Sequence, residues 1–305
     1  MTEEMKKTDG WLDWVKERAE PDFSLPEGTI DAHCHVFGPQ TEFPFSPSRK
    51  YTPGDAGKLD LQKLREHLGV SRSVIVQASC HGRDNSALLD ALDYFEHSAR
   101  GVVSLGADVT SDELADMHAR GVRGVRFNFV KRLVENQSFD ELKEVAAKIR
   151  EFGWHIVLYF EAEDLPDLEN SFATLDLPLV IDHLGRPDIT RGANSTAYSS
   201  FLRFVDRTEA WVKVSCPERL TVNGPNAVTG ASEVYTDVAP FARRLITEFP
   251  ERTLWGTDWP HPNMKSHIPD DSILLNYIPQ IALTETEREQ LLVGNPLSLY
   301  WPETS

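Results

Sequence analysis

Residues 30–36, IDAHCHV, running straight into FGP at 37–39, decide how the rest of the chain reads. The run is short and largely apolar, so it reads as a strand. Its histidines, His33 and His35, stand two apart, which puts both rings on one face. A doubly wound open sheet announces its first strand with a glycine-rich turn, and HCHVFGP is not one. Outward from this run, strand patterns recur at 72–79, 102–108, 122–130, 155–162, 178–185, 211–216 and 253–259. Helical patterns alternate with them near 59–68, 85–99, 111–120, 138–152, 164–173, 196–207, 231–249 and 284–292. Eight strands, each followed by a helix, predict an α/β fold closed as a (β/α)8 TIM barrel. The face shared by His33 and His35 is then the barrel lumen.

Residues 29–305 are expected to form this barrel, and residues 1–28 an N-terminal extension. Trp11, Trp14 and Val15 sit at helical spacing among charges, which predicts a short amphipathic helix packed on the body. Two long loops, 37–58 after the first strand and 217–230 after the seventh, should overhang the C-terminal mouth, where loops serve binding.

The net charge of −17 over 305 residues disfavours nucleic acid and anionic membranes as partners. It also makes any cluster of arginines informative. No apolar run approaches the roughly 18 residues of a membrane span, and the first residues lack the apolar core of a secretory signal. Cys34, Cys80 and Cys216 are scattered without a CxxC pair, so neither a disulfide framework nor a structural zinc site is expected, and a reducing cytoplasm is the natural compartment.

Catalytic groups of a barrel sit at the C-terminal ends of its strands, and nearly every strand pattern here ends in polar residues. Ser79 closes the second, a polar contact with no adjacent base to make it a nucleophile. Arg126 falls between apolar residues and should point inward, where a buried guanidinium needs an anion; Arg132 beyond it offers a second fork. Tyr159 and Glu161 share a face of the fifth strand, Tyr159 as a donor to a carboxylate and Glu161 as a partner for an arginine. His155, at the opposite end of that strand, reads as structural. His183 is expected at the mouth with Arg186 three residues on, while Asp182 is expected to point the other way and anchor structure. Ser215 and Arg219 follow the seventh strand. Asp258 ends the eighth, with His261 fixed between Pro260 and Pro262 in the next turn.

The stretches IDAHCHVFGP, VIVQASCHG, RGVRFNFVKRL, YFEA, IDHLGRPD, SCPERL, WGTDWPHPN and NPLSLYW occur in this order between Ile30 and Trp301. Together they resemble the 2-pyrone-4,6-dicarboxylate lactonases, metal-independent members of the amidohydrolase superfamily. The resemblance implies hydrolysis of that lactone to 4-carboxy-2-hydroxymuconate, in equilibrium with 4-oxalomesaconate, a step in bacterial degradation of protocatechuate and lignin-derived aromatics. It further implies Asp258 as general base, with His33, His35 and His183 lining the lactone carbonyl. By the same resemblance Arg126, Arg132, Arg219 and Tyr159 grip the carboxylates, and Ser79, Tyr51, Arg186 and His261 make secondary contacts. The longer N-terminal extension is expected as a departure from the family.

His33, His35, His183 and Asp258 are also a zinc-compatible set. Metal-dependent relatives of this barrel add a lysine on strand 4 or a histidine on strand 5, where this chain has Arg126 and Tyr159, so a site without metal or other cofactor is expected. The partner expected is a small dianionic lactone, and the chain a monomer or small homo-oligomer. A metal-dependent decarboxylase, a hydrolase of a sulfonated muconolactone or sugar-acid lactone, and a non-catalytic binding barrel stand as alternatives.

Overall fold

In the computed structural model, which describes residues 6–133, 138–230 and 233–302, the eight strand runs pair in parallel, each with the next. They are β1 Ile30–Cys34, β2 Arg72–Val76, β3 Ala99–Val103, β4 Val122–Asn128, β5 His155–Tyr159, β6 Leu179–Ile181, β7 Trp211–Lys213 and β8 Thr253–Leu254. β8 pairs with β7, and the segment beyond it closes the barrel onto β1. Ala32 N donates to Trp255 O at 2.9 Å, Asp258 N to His33 O at 2.8 Å and His35 N to Trp259 O at 2.8 Å. The closing seam therefore carries Asp258, His33 of β1 and His35 just beyond it.

Ile30, Ala32, Val74, Val76, Val102, Val157, Val180 and Leu254 fill the lower lumen, with Tyr300 and Trp301 against them. Burying each such Val, Leu or Ile contributes about 1.5–3 kcal/mol. Helices α1 Lys58–Leu68, α2 Ser86–Phe95, α3 Ser111–Ala119, α4 Phe139–Ile149, α5 Leu165–Phe172, α6 Thr196–Thr208 and α7 Ala239–Glu248 cover the outside. α4 shows why they form: Leu142, Val145, Ala146 and Ile149 repeat at helical spacing and are buried, and the Ser138 side chain caps the first turn.

Three expectations need correction. β3 begins at Ala99 rather than 102, and α2 gives way to a tight turn at Glu96–Ser98, because Ala99 and Arg100 pair in register with Ser73 and Val74. Gly101 lets Leu92 of α2 pack against the strand, and the charge and glycine in ARG hide the strand from a pattern reading. The expected helix at 231–249 starts on residues outside the described ones. Glu233–Val234 instead form a small ribbon with Val228–Gly230, and α7 starts at Ala239.

The third correction concerns the N-terminal extension. Its described residues form no helix. They run as a strap whose backbone bonds outward: Thr8 N to Thr52 O at 3.0 Å, Leu12 N to Met264 O at 2.8 Å and Ala19 N to Asp270 Oδ2 at 2.8 Å. Trp14 meets Trp259, the neighbour of Asp258, edge-on at 5.3 Å. With the amides committed to the loops, the tryptophans bury there instead of on a helical face.

Candidate active site

Asp258 sits in the left-handed region, φ +63°, a conformation that costs a non-glycine residue about 1–2 kcal/mol. The turn is held by its N–H on His33 O and by its own carbonyl, which accepts from His261 N at 2.8 Å. Two residues earlier, Gly256 passes so close to β1 that a Cβ there would lie 2.7 Å from His33 Cβ. The local sequence thus drives the carboxylate into the mouth. Its Oδ2 accepts from Arg219 Nε at 2.7 Å and Nη2 at 2.6 Å. Its Oδ1 faces three imidazoles, with Nε2 of His35, His33 and His183 at 3.2, 3.5 and 3.8 Å. Burial pushes the Asp258 carboxyl up, but Arg219, together with the bond to His35, outweighs it and holds the group well below the usual carboxylate range.

Beneath this centre lies a second ionic layer. Asp182, expected to point away, faces the lumen, two residues on from the lumen-facing Val180. The backbone then switches at His183, φ +51°, so Asp182 and His183 both turn inward. Asp182 Oδ1 lies 3.1 Å from Lys213 Nζ and 3.3 Å from His33 Nδ1, and Oδ2 accepts from Arg126 Nε at 2.8 Å. Lys213 Nζ also reaches His33 Nδ1 at 2.9 Å. Burial raises the Asp182 carboxyl, yet Lys213 and Arg126 bring it well below its ordinary value. The same burial, with Lys213 alongside, keeps His33 neutral, and burial takes His183 down to about 3. Lys213 is absent from the sequence-based site. The reasoning applied to Arg126, a cation between apolar strand neighbours, would have found it between Val212 and Val214.

The bonds bear on the ring protons. His33 Nδ1 lies between Lys213 Nζ, a donor, and Asp182 Oδ1, an acceptor. His35 Nδ1 donates to Val76 O at 2.7 Å, and His183 Nδ1 pairs with Ser215 Oγ at 2.9 Å.

His35, Tyr51, Ser79, Arg126, Tyr159, His183, Arg219 and Asp258 line one cavity. Arg126 stacks on the Tyr159 ring at 4.8 Å, and the Tyr159 hydroxyl accepts from Arg186 Nη1 at 3.1 Å. Arg219 is shared with an adjoining cleft of about 420 Å³ that Arg186 and Glu161 also line. Ser79 and Arg126 are shared with another, of about 510 Å³. Arg132 stays at the rim, half exposed, 3.6 Å from Glu161 Oε1, which Arg186 approaches at 3.5 Å. His33 lies under the cavity floor. His261 is not in the lining: it is fully buried behind the wall, 3.0 Å from Asp271 Oδ1 and 3.4 Å from Glu218 Oε1. Burial alone would lower its pKa, but these two carboxylates push it up to about 10.

Donor atoms of His33, His183 and Asp258 lie within 4.8 Å of one another, as do those of Cys216, Glu218 and Asp258. Either trio is compact enough to surround an ion, although Arg219 already occupies Asp258 Oδ2.

A family model described as Amidohydrolase matches residues 30–301. The chain is 54% identical over 301 residues to a 2-pyrone-4,6-dicarboxylate hydrolase of Comamonas testosteroni, across 98% of this chain and 99% of that one. It is 34% identical to a 4-sulfomuconolactone hydrolase of Hydrogenophaga intermedia, across 91% and 90% of the two chains. An apo crystal structure from Agrobacterium tumefaciens superposes with a TM-score of 0.80 at 26% identity, covering 92% of this chain and 98% of that one. The Comamonas match takes in nearly all of residues 1–28, so the extension is no departure from that relative.

Proposed function

The chain belongs to the amidohydrolase family, and from that premise we propose that it is a lactonase opening the ring of 2-pyrone-4,6-dicarboxylate. One observation carries the reading: an ionised carboxylate, Asp258, stands among three imidazoles in a cavity lined by Arg126, Arg219 and Tyr159. A flat ring with two carboxylates suits guanidinium forks, and the named relative of highest identity given above acts, by its name, on that diacid.

Arg126, Arg219 and Tyr159 hold the carboxylates at the wall, and Arg132 and Arg186 hold the rim. Asp258 takes one proton from water as the water oxygen bonds to the lactone carbonyl carbon. Negative charge gathers on the carbonyl oxygen. His183, whose ring lines the cavity, donates to it, such a donor being worth about 3–4 kcal/mol. The bond from the carbonyl carbon to the ring oxygen then breaks, and Asp258 returns its proton to the departing enolate oxygen. The new carboxylic acid loses its own proton to solvent.

A dication does not fit this donor set. Arg219 already occupies Asp258 Oδ2, and Arg126 and Lys213 stand against Asp182 just below. These cations attract a dianionic ring, whereas a divalent ion would add positive charge beside a guanidinium and an ammonium. Free, buried Cys34, Cys80 and Cys216 suit a reducing cytoplasm.

The reading is tested by adding the protein to 2-pyrone-4,6-dicarboxylate and following pyrone absorbance with proton release in a pH-stat. One proton per ring lost is expected. Turnover of a sulfonated muconolactone with no turnover of the diacid would overturn it.

A further inference from the structure

The strap and the catalytic centre are joined by a buried line of alternating charges. Arg18 Nε lies 3.6 Å from Asp271 Oδ2, and Asp271 Oδ1 lies 3.0 Å from His261 Nε2. His261 Nδ1 lies 3.4 Å from Glu218 Oε1, and that oxygen lies 3.7 Å from Arg219 Nε. Arg219 then closes on Asp258 Oδ2 at 2.6 Å. The side chains of Asp271, His261 and Glu218 are wholly buried, and that of Arg18 is 7% exposed.

We propose that residues 6–28 are part of the catalytic apparatus, with Arg18, Asp271, His261 and Glu218 acting as positioning residues that seat Arg219 on Asp258. The inference rests on Asp258 being the base. Glu218 makes the case: neither of its carboxylate oxygens has a hydrogen-bond partner among the described residues, so its place depends on its flanking cations, His261 and Arg219. Each interior ion of the line is buried between ions of the other sign. Removing the terminal Arg18 leaves Asp271 and Glu218 sharing one imidazolium, an imbalance that water does not screen. Asp271 then draws more strongly on His261, which leaves Glu218 less firmly held and Arg219 less firmly seated. The strap fixes Arg18 through its own packing, with the guanidinium over the Trp14 ring at 5.3 Å and the Ala19 N–H bonded to Asp270.

The readout is the acid limb of kcat/KM against pH, because Arg219 keeps Asp258 ionised. Among the described residues, the other groups facing Asp258 are His33 from β1, His35 just after it, Arg126 from β4, His183 after β6 and Cys216 after β7, and none of them is altered by the variants. Arg18→Gln should lower kcat on the order of tenfold and move the acid limb to higher pH, and Arg18→Lys should restore both. Glu218→Gln should do the same, and the double variant should lose no more than the worse single one. Arg18→Met, which keeps an unbranched apolar side chain at this position, serves if the glutamine variant does not fold. Wild-type kcat and an unmoved limb in the Arg18 variants, or losses that multiply in the double variant, would overturn the inference. Asp258→Asn separates the two failures: if it is active, the base assignment falls, and if it is inactive while Arg18→Gln behaves as wild type, only the strap's role falls.

Discussion

Arg219 meets Asp258 through two nitrogens, and both land on one oxygen: Nε at 2.7 Å and Nη2 at 2.6 Å from Oδ2. Oδ1 is left to the imidazoles of His33, His35 and His183. The carboxylate is thereby divided into an oxygen held by a guanidinium and an oxygen facing imidazoles, and the holding cation also lines the cavity.

Arg219→Gln removes that hold. The carboxyl of Asp258, kept low against its burial, should rise by about 1–3 pH units. The acid limb of kcat/KM should move up accordingly, and KM for the diacid should increase. The pH profile of the variant checks this; an unmoved limb would show that the guanidinium does not set the base.

Lys213→Met leaves Asp182 with Arg126 as its only full cation and leaves His33 Nδ1 facing Asp182 alone. Breaking a buried pair from one side costs about 3–5 kcal/mol, which denaturant unfolding would measure. A change near zero would mean that Lys213 is neutral in the folded protein.

His261 fixes a direction for stability against pH. Its folded pKa, about 10, lies above its ordinary 6.5. The stabilisation is therefore complete below pH 6.5 and is lost as pH rises through 10, at up to about 1.4 kcal/mol per pH unit. His261→Asn should flatten this alkaline decline in unfolding free energy.

Ring opening releases one proton, so the position of equilibrium should depend on pH. The apparent constant should favour the open acid by about tenfold more for each unit of pH increase. Approach to equilibrium from both sides, at several pH values, measures it.

The barrel was legible because its strands obey simple alternation and its helices repeat every three or four residues, as in Leu142, Val145, Ala146 and Ile149. His33 and His35 read correctly as lumen residues, whereas Asp258, expected to end the last strand, lies beyond Leu254 in a left-handed turn. What failed was local backbone reversal. Asp182 was assigned outward because strict alternation cannot hold through a left-handed His183. Lys213 drew no attention in an apolar strand, although its ion pair with Asp182 anchors the floor of the site. His261 looked like a contact because it follows Asp258 closely, but the tight turn sends it behind the wall to Asp271. The strap looked helical from Trp11 and Trp14 alone, since loop partners for its amides are invisible in one dimension.

The central claim is that Asp258 activates water without a dication. The direct measurement is turnover of 2-pyrone-4,6-dicarboxylate by chelator-treated protein, beside the Asp258→Asn variant with diacid binding followed by calorimetry. Full activity after chelation is predicted for the parent protein, with binding but almost no turnover for the variant. Activity that vanishes on chelation and returns with added zinc, or an Asn variant that still turns over, would contradict it.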